Sequence, residues 1–428
     1  MIMKWIYYLS IVCVVVQLSS QDEDLGELAK CFPLNKSTLL SPKELLPGLT
    51  QSRLQFSLEF MKNVFKKSKP GSNVFFSPHS VYQALLLTLF ISDGETEKNI
   101  KTALRIPHEI DKLEVLRMYT LEAGFEKMRA LNASANYEFN NVNKFFYEND
   151  LPVRECMKMV FKEELESLNF KYDPFLSKQI INEWVSNQTK YQINDLLSDS
   201  DVHEDTKLIL VNAMYFKGLW QSKFLPENTK KEIFHSSPSK KTFVQMMKQK
   251  GNFKYLISEK LGIHAVQLPY KGEDISMFIL LPPFVEQNSI EFLLRKLTPE
   301  MISEIVEPNY MVERPVELGV PKFTVEHKLD GLVPILEAMG VGDLFKNSSN
   351  LSALTGGNEV SFNDVVHKAK VSIDEQGTVA AASTAMFTFR SSRPLEPISF
   401  ICNHPFLYFL YDNVSQTILF MGVYNSPA

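Results

Sequence analysis

Asn73–Phe90 reads NVFFSPHSVYQALLLTLF, and the run from Ser80 to Phe90 carries no charge and is apolar on every side. Such a run predicts a helix buried on all faces rather than along one stripe. Burial of that kind needs a large core, which 428 residues with 45% hydrophobic content permit. Upstream, LQFSLEFMKNVFKK places Leu54, Leu58, Met61 and Phe65 at spacings of three and four, the pattern of an amphipathic helix. Downstream, LILVNAMYF and ISMFILLP are short apolar runs with β-branched and aromatic members, as in strands inside a sheet. ISFICNHPFLYFLYD and QTILFMGVYNSP read as closely spaced strands. Helices dominate the first half and strands the second. No Gly/Ser-rich linker or internal repeat divides the core, so one mixed α+β domain is expected over residues 51–428.

The amino terminus has a different character. MIMKWIYYLSIVCVVVQLSSQDEDL sets one Lys before an apolar stretch from Trp5 to Leu18, then small polar residues and an acidic segment. That order predicts a secretory signal peptide over residues 1–20 and an extracellular protein. The stretch is shorter than the roughly 20 residues a membrane-spanning helix needs, and no later segment reaches that length. Residues 21–50, with Pro33, Pro42 and Pro47, read as an extended or loosely ordered arm. Once the leader is removed, Cys31, Cys156 and Cys402 remain, an odd and sparse set without Cys-x-x-Cys. It indicates neither a disulfide framework nor a zinc site. Asn35, Asn132, Asn187, Asn347, Asn350 and Asn413 begin glycosylation triplets and fit a secreted glycoprotein.

The formal net charge of −5 gives no basic excess for a nucleic-acid partner. Gly-x-Ser-x-Gly, His-Glu-x-x-His, a phosphate-binding loop and a dinucleotide fingerprint are all absent, which argues against an enzyme. His367, in VVHKAKVSIDE, sits in an apolar strand-like context that favours a hydrogen-bonded core histidine over a general base. The short runs at Lys66–Lys69 and Lys240–Lys241 read as solvated surface.

Seven blocks in order give the chain a resemblance to the serpins, from about Leu54 to the end. NVFFSPHSVYQAL resembles the family's shutter segment, with Ser77, Pro78 and Ser80 leading into the buried helix. INEWVSNQTKYQINDLL and LILVNAMYFKGLWQSKF resemble the helix and central strand where the family's main sheet opens, and carry Asn212 and Trp220. QLPYKGEDISMFILLP, VPKFTVEHKLDGLVPILEAMGVGDLF, VVHKAKVSIDEQGT with His367, and NHPFLYFL with ILFMGVY complete the set. The resemblance implies a large mixed main sheet, two smaller sheets, eight or nine helices and an exposed reactive loop, here residues 375–397. It also implies a suicide-substrate inhibitor of a serine protease, with no catalytic residue, metal or cofactor of its own. In the family, cleavage of the loop lets it insert as a strand in the main sheet and carry the trapped protease along.

The loop residues suit that task. No charge lies between Glu375 and Arg390, and no Pro interrupts the segment. Strand side chains alternate faces, so Thr378, Ala380, Ala382, Thr384, Met386 and Thr388 share one side, all small or uncharged. Glu375, Gly377, Thr378, Ala380, Ala381 and Ala382 form the expected hinge, Gly377 serving as a pivot. In FTFRSSRP, Arg390–Ser391 is the bond a trypsin-like enzyme would choose, and Pro394 disfavours Arg393. Counting the usual loop length from Glu375 points instead to Ser391–Ser392, which suits an elastase-like enzyme. Chemistry favours Arg390. The helical segment after the shutter interleaves Lys112, Arg117, Lys127 and Arg129 with acidic residues, so glycosaminoglycan activation is not supported. The NHPF and FRSSRPLEPISF segments look most like arthropod serpins, some of which control extracellular clip-type proteases in innate immunity. A monomer is expected. The competing expectation is a non-inhibitory member acting as carrier, chaperone or storage protein.

Overall fold

The computed structural model describes residues 31–32, 42–133, 136–283, 288–329, 331–357, 360–362, 364–376 and 396–427. Helix α1 (Pro42–Lys67) leads through the short strand β1 (Val74–Phe76) into α2 (Pro78–Ile91). Ser77 caps α2: its side chain accepts from the Ser80 N–H, and Pro78 takes the first helical position, where a missing N–H costs nothing. Every residue of α2 is buried, as its uncharged sequence predicts. The helix packs on α1 through Phe56 and Tyr82, whose rings meet edge to face at 5.2 Å.

After α3 (Gly94–Ala103) and α4 (Lys112–Ala133) come β2 (Tyr137–Glu148), α5 (Glu155–Val160), β3 (Leu165–Leu168), α6 (Pro174–Gln188) and β4 (Leu208–Gly218). A run of strands follows: β5 (Lys230–Ser237), β6 (Lys240–Ser258), β7 (Ile263–Pro269) and β8 (Ile275–Leu281). Then come α7 (Ser289–Lys296), α8 (Pro299–Val306), β9 (Val312–Pro321), β10 (Phe323–Lys328), α9 (Leu332–Ala338), α10 (Ser352–Thr355) and β11 (Asp364–Ile373). The chain closes with β12 (Ile398–Ile401), β13 (Phe406–Asp412) and β14 (Thr417–Tyr424).

Two mixed sheets result. One has the order β10-β11-β4-β2-β3; the other runs β1-β14-β13-β8-β7-β6-β9-β12, with β5 on β6. The two smaller sheets expected from the resemblance are thus joined, because β6 is 19 residues long. It pairs with β9 from Met246 to Tyr255 and with β7 from Lys254 to Ser258. Helices number ten among the described residues, against the expected eight or nine; α5 and α10 are single-turn pieces of six and four residues.

β4 is apolar on both sides because both sides are covered. Ile209, Val211, Ala213 and Tyr215 pack with Ile181 and Val185 of α6, and with Ile193, Leu196 and Leu197 beyond it. Leu208 and Leu210 face the core of α1 and α2, while Met214 and Phe216 join the core of the nine-stranded sheet.

The amino-terminal reading needs two corrections. Helix α1 starts at Pro42, so residues 42–50 are helical rather than a loosely ordered arm. Pro42 opens that helix, a position proline favours, and only Pro47 lies inside it. Cys31 and Cys156 are joined by a disulfide, with Cα atoms 6.0 Å apart across a separation of 125 residues. Cys402 is free and buried. Closing so long a loop restricts the unfolded chain, so opening the bond by Cys31→Ser should cost about 4 kcal/mol. Denaturant unfolding of wild type and variant, with and without reductant, measures it; equal midpoints would contradict it.

Candidate functional site

β4 and β11 lie side by side and parallel, with eight paired positions from Ile209↔Asp364 to Phe216↔Val371. β10 flanks β11 and β2 flanks β4, both antiparallel. Chain leaving the end of β11 and folding back between these two strands would run antiparallel to both. One slanted parallel ladder would become two antiparallel ones.

Under the middle of this seam sits a buried polar cluster. The Ser77 N–H donates to His367 Nε2 at 3.1 Å, so that nitrogen is the acceptor and the ring proton sits on Nδ1. His367 Nδ1 then donates to Asn212 Oδ1 on the neighbouring strand. The Asn212 amide donates in turn to the Ser80 carbonyl at 3.0 Å and to Asn143 Oδ1. Ser77 Oγ donates to the Leu419 carbonyl at 2.7 Å, and Ser80 Oγ to Asn141 Oδ1 at 2.7 Å. Asn141 donates onward to Gln83. The cluster therefore ties α2 to β2, β4, β11 and β14. Burial, with nearby His327 adding to it, pushes His367 down to about 3, so the imidazole is neutral.

At the upper end of the seam β4 stops at Gly218, where a β-carbon would lie 2.6 Å from the Tyr270 ring. Trp220 follows, stacked on Tyr270 with centroids 4.3 Å apart. Its indole N–H donates to the Asp374 carbonyl at 2.9 Å, and its backbone N–H to the Gln376 carbonyl at 3.2 Å. Glu375 is nearly buried, bonded to Thr229 Oγ1 at 2.9 Å and to Lys322 Nζ at 2.7 Å; the Phe224 N–H donates to its carbonyl. Burial raises the Glu375 carboxyl, but Lys322, the backbone and Thr229 outweigh it and hold it below the usual carboxylate range.

Of the residues singled out in the sequence, Ser77, Ser80, Asn212 and His367 come together in one cluster, while Trp220 and Glu375 meet at the seam's upper end. Gly377, Thr378, Ala380, Ala381, Ala382, Arg390, Ser391 and Ser392 lie outside the described residues, as do Asn35 and the side chain of Asn132. Asn141, Asn143, Gln83, Thr229 and Lys322 were not anticipated. Alternation in YEFNNVNKFFYE could have flagged Asn141 and Asn143, since both fall on one face of β2. On α4 the four cations are paired: Lys112 with Asp93 and Glu97, Arg117 with Glu114, Lys127 with Glu163, and Arg129 with Asp412. Among the described residues no group of three His, Cys, Asp or Glu could hold a metal ion, and no helix is long and apolar enough to cross a membrane.

Residues 51–427 match the sequence profile of the family described as serpin (serine protease inhibitor). The chain belongs to the serpin family. Its members are protease inhibitors rather than enzymes. This serpin is 40% identical to serine protease inhibitor 88Ea of Drosophila melanogaster, covering 86% of this chain and 88% of that one. It is 34% identical to leukocyte elastase inhibitor of Sus scrofa, over 89% and 99% of the two chains. Among solved structures, uncleaved ovalbumin superposes with a TM-score of 0.77 at 26% identity, covering 89% of this serpin and 100% of ovalbumin. Maspin gives 0.79 at 27%, covering 89% and 98%.

The neutral state of His367 has a pH consequence. Unfolded, the ring titrates near 6.5; folded, near 3. The stability it contributes is complete above about 6.5 and is lost as pH falls from there toward 3, by about 2 kcal/mol between pH 7 and 5. Denaturant melts at the two pH values should show this loss in wild type and a smaller one in His367→Gln. Equal losses would refute the link.

Proposed function

We propose that this serpin is a secreted monomer that traps a trypsin-like serine protease by inserting its cleaved reactive loop between β4 and β11. One observation carries the reading: β11, whose end is followed in sequence by a stretch with no charge between Glu375 and Arg390, is paired in parallel with β4, and a strand placed between them would be antiparallel to both. In the first step the protease serine attacks the Arg390 carbonyl carbon. The bond to Ser391 breaks, the Ser391 amine leaves with the serine's proton, and Arg390 remains as an ester on the protease. The freed segment then gains about a dozen ladder hydrogen bonds, at roughly 1 kcal/mol net each, plus apolar burial. At about 3.3 Å per residue it spans roughly 40 Å, enough to carry the enzyme across the molecule.

Each part of the site has a role in this scheme. Glu375, held by Thr229 and Lys322, fixes the point from which the hinge Gly377–Ala382 turns. Trp220 covers the entrance. Ser77, Ser80, Asn212 and His367 hold the seam shut beneath, and Asn212 and His367 must part for a strand to pass between them. The leader and the Cys31–Cys156 disulfide support export, since disulfides persist in oxidising compartments. The Arg390 side chain supports a trypsin-like target, and the 40% identity to a Drosophila inhibitor is compatible with a clip-type protease.

Incubation with trypsin followed by a denaturing gel tests the reading. A covalent band is expected, with a released peptide beginning at Ser391 by mass spectrometry and a higher melting temperature for cleaved than intact protein. Clipping without a covalent band would favour a non-inhibitory carrier, chaperone or storage role. Thr378→Arg would bury an unpaired charge, at several kcal/mol, and should preserve cleavage while abolishing the band; an undiminished band would sink this account of the hinge.

A further inference from the structure

Among the described residues, the four triplets at Asn187, Asn347, Asn350 and Asn413 fall into two kinds. Asn187 lies at the end of α6, exposed, and its carboxamide makes no hydrogen bond among the described residues. The Thr189 hydroxyl of the same triplet donates to the Val185 carbonyl at 2.8 Å, closing the helix beneath it. Asn347 is likewise exposed, between the turn Gly342–Phe345 and α10, with its carboxamide unbonded among the described residues. Asn350 is built into the fold. Its Oδ1 accepts from the Ser352 N–H at 3.1 Å, its own N–H donates to Thr96 Oγ1 at 3.0 Å, and its Nδ2 lies 3.1 Å from where a β-carbon on Gly94 would sit. Asn413 is held more firmly still. Both amide hydrogens are engaged, by the Glu273 carbonyl at 2.7 Å and Ser276 Oγ at 3.0 Å, and its backbone N–H donates to the Asp274 carbonyl at 2.8 Å.

We propose that Asn187 and Asn347 carry N-linked glycans and that Asn350 and Asn413 stay bare in the folded protein. The assignment rests on the secreted reading above. In the transfer, the Nδ2–C1 bond to the sugar forms, the C1–O bond to a lipid-linked diphosphate donor breaks, and one Nδ2 proton leaves with the diphosphate. A glycosylated amide keeps a single hydrogen. At Asn413 one of the two bonds must therefore be lost, and a sugar must wedge between Glu273 and Ser276 at the start of β8. At Asn350 the Nδ2 faces Gly94 closely enough that even a β-carbon there would be crowded, so a sugar has little room beside that backbone. At Asn187 and Asn347 nothing is lost, and the sugar projects into solvent.

The test expresses the full chain, leader included, in a human cell line and treats the secreted protein with peptide N-glycosidase F in heavy-oxygen water. Peptide mapping should show labelled Asp at Asn187 and Asn347 and unmodified Asn at Asn350 and Asn413. Asn187→Gln and Asn347→Gln should each remove one glycan from the intact mass. Asn413→Gln should leave the mass of attached sugar unchanged and lower the thermal midpoint. Label at Asn350 or Asn413, or secreted protein bare at Asn187 or Asn347, overturns the assignment. Retention inside the cell with the leader uncleaved overturns the secreted reading instead.

Discussion

β4 and β11 could not share a parallel ladder through the centre of a sheet unless the polar groups beneath them were satisfied without water. The Asn212–His367 bond does this. It spans the two strands, and it holds only with the imidazole neutral and its proton on Nδ1, because Nε2 must accept from Ser77. A second proton would face the Ser77 N–H with another N–H and leave both without an acceptor. α2 depends on the same residues: Ser77 caps the helix and, through its own N–H, fixes the ring. Helix start, strand pairing and protonation state are set together, by side chains distant in sequence.

The contacts that close the seam are local and polar, while those that anchor its flanks are broad and apolar. α6 and the segment after it cover β4 with Ile181, Val185, Ile193 and Leu196, and α2 covers the opposite face. Parting β4 from β11 sacrifices a ladder and a few buried hydrogen bonds but leaves most of that apolar burial in place. The polar contacts thus lie along one line between β4 and β11, and Glu375 is anchored near its end by Thr229 and Lys322. A buried polar cluster suits such a line, since its bonds are specific in geometry and modest in net energy.

The elements most legible in the sequence were those whose side chains meet one kind of surroundings. α2 and β4 are buried on both sides, so a largely apolar run sufficed, whereas Asn212 was singled out only through the family resemblance. Ser77, Ser80, Trp220 and His367 were found because they sit in blocks that resemble a known family. Thr229, Lys322 and Gln83 were not, because each acts through a side chain far away in the chain that nothing near it in sequence announces, while the only local trace of Asn141 is the alternation of β2. The same holds for the disulfide: three cysteines without local spacing do not reveal which two are 6.0 Å apart in the fold. The prolines at 42 and 47 suggested an arm only because proline is usually a breaker, whereas Pro42 lies at the one helical position where it is welcome.

The Cys31–Cys156 bond makes a covalent ring that contains α1 to α4, β1 and β2, and excludes β4, β10 and β11. It thus closes around β2 alone of the five-stranded sheet and does not bridge β4 to β11. A cross-link from β4 to β11 would instead tie those two strands together covalently. Placed where it is, the bond lets oxidation restrain one stretch of the chain while β4 and β11 stay joined only by hydrogen bonds and packing.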